Sequence, residues 1–294
     1  MSDGDDFADY GENGDGEDTL APKKAAAQQN YGPIIEHIFA KHHTEGALEV
    51  PFHRDEIVTS AQELGLKRPS NLGDVLYSFR YRRKLPESVT AKAPPGRQWI
   101  IRGKARAEYA FCAVPGIVWI EPHPGLVTTK VPDATPEIIS HNALGDEQAL
   151  LALLRYNRLI DVFLGMPTYS LQNHLRTTVN GVQVEVDEVY LAVDTHGVQY
   201  VLPVQAKGGS DLLGRIQVEQ DIAMCQKKFP KLVLRPVAAQ FMAEGIALFE
   251  LTIHDAKMVV VRESHYKLVA YDKVSEQDRE LYKLKAQVPP PPVL

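Results

Sequence analysis

Asp187, Gln205, Ala206 and Lys207 are the residues of this chain whose types and spacing point most directly to chemistry. They fall within residues 181–209, GVQVEVDEVYLAVDTHGVQYVLPVQAKGG. Val182, Val184 and Val186 alternate with Gln183, Glu185 and Asp187 in the two-residue period of a half-buried strand, and residues 200–204 form a second, largely apolar strand. Asp194, Thr195, His196 and Gly197 between them are turn formers. With the turn centred near His196 and Gly197, antiparallel pairing sets Asp187 beside Gln205, Ala206 and Lys207, and residues two apart share a face, so Gln205 and Lys207 point together. A carboxylate, a second oxygen donor and an ammonium at one strand end can hold a divalent cation and a water next to a phosphodiester. The ammonium then stabilises charge or helps to deprotonate that water.

This arrangement, Asp187 followed by Gln205-Ala206-Lys207 and the Gly208-Gly209 exit, resembles the active-site hairpin of the PD-(D/E)XK nuclease superfamily, in the Mrr-type variant with a Q-x-K tripeptide. The resemblance covers about residues 140–260. It implies an α/β fold, a restriction-endonuclease-like mixed sheet flanked by helices, and magnesium-dependent cleavage of nucleic acid with manganese able to substitute. It assigns the metal to Asp187, Gln205 and the Ala206 carbonyl, and catalysis to these residues with Lys207. Two features depart from the pattern: Val186 stands where a proline is expected, and the amide of Gln205 leaves one charge fewer at the metal.

The elements that would position this hairpin follow from periodicity. Residues 146–164 carry Leu150, Leu151, Leu153, Leu154, Ile160, Val162, Phe163 and Leu164 on what reads as one buried helix, with Asp146 and Glu147 in its first turn, where the helix dipole favours acids. The nuclease resemblance implies an acid there, and Glu147 is the candidate. Asn157 and Asp161 read as packing or surface residues, and residues 165–181 as a loop with a strand, in which His174 and Arg176 are able to approach DNA or substrate. A helix over residues 211–228 carries Gln217 and the possible accessory residue Gln220; strands are expected over 232–239, 249–253 and 258–262, the last two joined through residues 254–257.

Upstream, residues 31–113 read as a small α+β, winged-helix-like DNA-binding domain: helices over 33–41 and 54–64, a third capped by Ser70 or Asn71, then strands over 98–102 and 108–113. Arg80, Arg82, Arg83 and Lys84 end the third helix, and Lys104 and Arg106 sit at the hairpin tip. Such a domain puts the helix in a major groove and the tip on the adjoining backbone. The proline-rich residues 114–140 read as a linker holding at most one strand at 117–120 and a short helix at 136–140. Residues 141–275 form the nuclease-like core, and 276–294 a charged helix followed by a proline-rich terminus.

Composition sets the frame. The 44% of hydrophobic residues suffices for a sizeable core. Cys112 and Cys225 stand far apart and outside metal-ligand spacing, which speaks against a zinc or disulfide framework and for a reducing compartment. Neither a membrane-length apolar run nor a secretory leader is visible, so the expectation is a soluble cytoplasmic protein. The net charge of −6 misleads as an average. Residues 1–18 hold eight acids and no Lys or Arg, leaving 32 basic against 30 acidic residues elsewhere. Residues 1–30 read as a disordered acidic leader, a solubilising tail or a DNA mimic that screens the basic surface. The expected function is metal-dependent endonucleolytic cleavage of DNA, in restriction of foreign DNA, by a chain that double-strand cleavage would make a homodimer. The alternatives are repair or junction cleavage, a DNA-binding protein with a degenerate nuclease core, and a protein-interaction module.

Overall fold

The computed structural model describes residues 30–142, 147–179, 182–208 and 211–287; the acidic leader, Asp146, Gly209 and the proline-rich terminus lie outside them. Two hydrophobic cores organise the chain. The first begins with α1 (Tyr31–His42), β1 (Glu49–His53), α2 (Glu56–Glu63) and α3 (Leu72–Tyr77). A wider i→i+5 turn (Ser78–Arg82) and α4 (Glu87–Thr90) lead to β2 (Arg97–Ala105) and β3 (Glu108–Pro115). The expected spacing of apolar residues holds: Ile34, Ile35, Ile38, Phe39, Ile57, Val75, Leu76 and Phe79 close over Phe111 of the sheet. Asn71 Oδ1 accepts from the Asp74 N–H at 3.2 Å, the N-cap expected for the third helix. Gly65 ends α2 with φ +65°, a conformation that costs glycine little.

The sheet here has three strands in the order β1-β3-β2. Strand β1 was not expected. Pro51 interrupts its pattern, yet Val50 and Phe52 alternate inward, and an edge position tolerates a residue without an N–H donor. The β2–β3 turn is also tighter than expected, reduced to Arg106 and Ala107.

The second core is built on a mixed sheet ordered β5-β13-β12-β11-β8-β7-β6. Its strands are β5 (Thr128–Pro132), β6 (Thr168–Val179), β7 (Val182–Val193), β8 (Gln199–Lys207), β11 (Val237–Met242), β12 (Gly245–His254) and β13 (Lys257–Val269), with short β10 (Val233–Leu234) alongside β8. The remaining elements are β4 (Trp119–Ile120), α5 (Glu137–Ser140), α6 (Glu147–Tyr156), α7 (Leu159–Leu164), β9 (Leu213–Gly214), α8 (Arg215–Lys228) and α9 (Glu276–Gln287). Leu150, Leu154, Ile160 and Phe163 pack on one face of the sheet against Leu202, Val204 and Ala206. Val218 of α8 packs on the other face against Ala238 and Phe249, and Met224 and Cys225 against Val186, Val189 and Val201.

Two expectations need correction. The segment read as a linker belongs to the core: β5 pairs in parallel with β13, and β4 pairs with β9. The long helix is two helices. Arg158 breaks it with φ +49°, and the Asn157 side chain donates to Thr135 Oγ1 at 2.8 Å and accepts from Ala134 N at 2.7 Å, tying the break to the former linker. Asp161 likewise accepts from the Thr168 N–H at 3.0 Å, fixing the entry into β6.

Candidate functional site

The β7–β8 hairpin pairs from Val193–Gln199 down to Glu188–Val204, a register centred on His196. There the strands part. Beyond Glu188, β7 continues against β6 alone, while residues 204–207 of β8 pair in parallel with β11. Asp187 stands at the fork and replaces the lost ladder: its Oδ2 accepts from the Ala206 N–H at 2.8 Å. In an extended strand the N–H and C=O of one residue point to the same side. The Ala206 carbonyl therefore faces the gap that Asp187 occupies.

The side-chain phase of β7 also changes at this point. Val184 and Val186 share a cluster with Val189, so one residue too many separates them for strict alternation. On β6, the facing residue between the pairs Asn173–Glu188 and Leu175–Val186 is His174, with φ +47°. A left-handed residue on β6 and the change of side-chain phase on β7 thus flank the carboxylate that the sequence singles out, as is common at functional sites.

Gln205 and Lys207 are 3% and 8% exposed and lie on the same face of β8. The Lys207 ammonium reaches Glu147 at the start of α6, Nζ to Oε1 2.6 Å. Burial alone would lower the Lys207 pKa, but Glu147, Asp187 and Asp211 outweigh it and hold the amine charged. Burial pushes Asp187 up to about 6; the Ala206 N–H and Lys207 oppose the rise, whereas the charge of Glu147 adds to it. Glu147, Asp187, Gln205, Ala206 and Lys207 therefore do meet. Asp187 and Lys207 come from the hairpin register, Glu147 from the placement of a helix start over the strand ends.

One member of this group was missed. Asp221 of α8 is 2% exposed, lies against the Gln205 side chain, and has its pKa raised far above the usual carboxylate range by burial, with the charge of Asp187 adding to the rise. Its Oδ1 and the Oε1 of Gln205 are buried without hydrogen-bond partners among the described residues. Successive helical residues point about 100° apart. Gln220, one residue earlier, accordingly faces the first core, where its Nε2 donates to the Tyr81 hydroxyl at 3.1 Å; it is not part of this group. The expectation for Gln220 came one residue short, because an isolated Asp in an amphipathic pattern reads as surface.

His174, opposite Asp187 on β6, and Arg176 are both turned to Glu185. His174 Nδ1 and Arg176 Nε both lie 3.0 Å from Glu185, which they hold below its ordinary pKa against the upward pull of partial burial. Among the described residues no three His, Cys, Asp or Glu side chains gather closely enough to form a metal centre by themselves. A cation here would need oxygens of a mixed kind: the Asp187 carboxylate, the unpartnered Gln205 Oε1 and the Ala206 carbonyl, with Asp221 behind Gln205. That set suits a hard divalent ion rather than a soft one. The Gln205 Oε1 without a partner among the described residues and the carboxylates grouped around Lys207 fit such a guest.

The basic residues around the first core are mostly engaged. Lys84 pairs with Glu121 at 2.6 Å and Lys104 with Glu49 at 2.7 Å. The Arg82 guanidinium lies 4.8 Å from the centre of the Tyr77 ring, and that of Arg80 lies 4.9 Å from the centre of the Tyr81 ring. Arg83 also makes interactions of its own, and Arg106 occupies the exposed β2–β3 turn. Arg80 to Lys84 do not end the third helix as expected but lie in and after the wider turn that follows it, which abuts the second core through Tyr81 and Gln220. Among the described residues no helix is long and apolar enough to cross a membrane. Comparison with protein-family models, curated proteins and solved structures returned no match.

Proposed function

We propose that this protein is a metal-dependent endodeoxyribonuclease with a restriction-endonuclease-like core and an N-terminal winged-helix-like reader, acting in restriction of foreign DNA. The observation that carries the reading is the fork at Asp187, where an acid, an amide, a lysine and two further acids from different helices converge on one strand end. The order helix, strand, helix, helix and hairpin, with sheet order β1-β3-β2, supports the winged-helix reading.

Asp187, Gln205 and the Ala206 carbonyl would hold magnesium, or manganese in its place, and the ion would supply Lewis-acid activation of a phosphodiester and of its attacking water. Asp221, held neutral chiefly by burial, would ionise beside a bound cation and so supply the negative charge that an amide at position 205 omits. Lys207, kept protonated by Glu147, serves to offset charge accumulating on the phosphate rather than to take a proton from water. A carboxylate must accept that proton. With 36% of its side chain exposed, Glu147 is reachable by solvent, whereas Asp221 is sealed.

Supercoiled plasmid incubated with magnesium provides the test. The native chain should nick it; Lys207→Ala, Asp187→Ala and Asp221→Asn should each lower the rate by about 10²-fold or more, in the range of removing one charge-stabilising group. Equal products from all four proteins would end the nuclease reading.

A further inference from the structure

Between the two cores lies a second hollow, of about 230 Å³, walled by the β2–β3 hairpin, the turn after α3, the first half of α8 and the bases of β6 and β7. Nothing in the hairpin chemistry uses it. Arg80, Arg102 and Lys104 line it against a single acid, Glu219. Glu219 is committed elsewhere: Arg102 Nη2 lies 2.7 Å from both its oxygens, and Arg215 Nε donates to Oε1 at 2.7 Å. Lys104 is paired with Glu49 at 2.7 Å, so the excess of positive charge rests on Arg80 and on Arg102 and Arg215, which share Glu219.

Arg80 is prepared for a ligand. Its guanidinium lies against the Tyr81 ring, which the Tyr81–Gln220 hydrogen bond fixes, and its buried Nε has no acceptor. Stacking leaves the terminal N–H groups of an arginine able to meet an anionic oxygen. The rest of the wall is apolar, made by Val179, Val184, Ile216 and Ala223. A bare phosphate has no use for that wall, and an apolar molecule has none for the charge. We infer that this cleft binds one nucleotide unit, its phosphate on Arg80 and its base against the apolar wall. The unit is either a free nucleotide or one nucleotide of a DNA strand. The inference is independent of whether the hairpin cuts DNA.

Calorimetric titration of the full chain with thymidine 5′-monophosphate, thymidine and inorganic phosphate reads this directly. The monophosphate should bind at least about tenfold tighter than either fragment, the return on joining two sites. Arg80→Gln should weaken it about tenfold, the scale of one charge-assisted hydrogen bond. Ala223→Met fills the wall without touching charge and should abolish binding, with circular dichroism confirming that both variants fold. A single-stranded dodecamer in parallel titrations separates the sources: dependence on Arg80 and Ala223 for the free monophosphate identifies a free nucleotide, and the same dependence for the strand alone identifies a strand-borne one. Binding of neither, or binding that ignores both substitutions, overturns the inference.

Discussion

Asp187 carries a measurable conflict between stability and function. Its pKa, pushed up to about 6 mainly by burial, exceeds the ordinary value of 3.8, so the folded chain holds a proton there that the unfolded chain gives up earlier. The stability this confers is full below pH 4 and is lost as pH rises through about 6. At pH 8 the carboxylate is charged in a poor solvent. Asp187→Asn should therefore stabilise the protein at pH 8 by on the order of 2 kcal/mol, and the gain should vanish near pH 4. Denaturant unfolding at the two pH values measures it, and a stability loss at pH 8 would contradict the buried-charge account. Magnesium should reverse the penalty in the native chain by binding only the ionised, folded state. The melting temperature should rise with magnesium at pH 8, rise less at pH 5, and stay flat for Asp187→Asn.

At the scale of elements, the site depends on α6 starting where β8 ends. Glu147 occupies the first turn of α6, and its bond to Lys207 spans 60 residues of sequence. Glu147→Gln keeps the helix start and the packing of Leu150, Leu151 and Leu154 but withdraws a charge from Lys207. The lysine pKa should fall toward its ordinary value, and plasmid nicking should drop by about 10²-fold, within the range for loss of a general base, with an unchanged circular dichroism spectrum. A hundredfold drop accompanied by loss of helix would mean that Glu147 is structural instead. The phase change of β7 across Asp187 and the left-handed His174 opposite belong to this scale too. They turn a carboxylate that regular pairing would confine to one face into the gap between two strands.

At the scale of the whole molecule, one buried network joins the two cores. Arg215, 2% exposed, donates to the carbonyls of Pro115 and Ala256, each at 2.6 Å, and Glu219 links it to Arg102. Removing the acid leaves a buried guanidinium short of a counter-charge, which costs about 3–5 kcal/mol where both partners are buried. Because Arg102 is partly exposed, Glu219→Ala should cost about 2 kcal/mol or more and should loosen the domains from each other, read as a lower or divided thermal transition by calorimetry. An unaltered single transition would show that the apolar contact of Ile216 with Ile100 and Val114 suffices without the ion pairs.

Much of this was legible in the sequence because it is local. Alternation of valines marked the first hairpin strand and an apolar run the second, the turn residues set the register on His196, and that register brought Asp187 near Gln205-Ala206-Lys207. Helical spacing likewise marked α1, α2 and α8 by their apolar stripes. Tertiary structure decided what depends on meetings across the chain. No local period announces that Asp221 lies behind Gln205, that Gln220 turns away to Tyr81, that β5 completes the sheet, or that Arg80 stands at a cleft between cores rather than on an open face. The reason is physical: periodicity records which side of an element avoids water, whereas a site is the place where polar groups from several elements share one desolvated volume. Only the packed chain defines that volume.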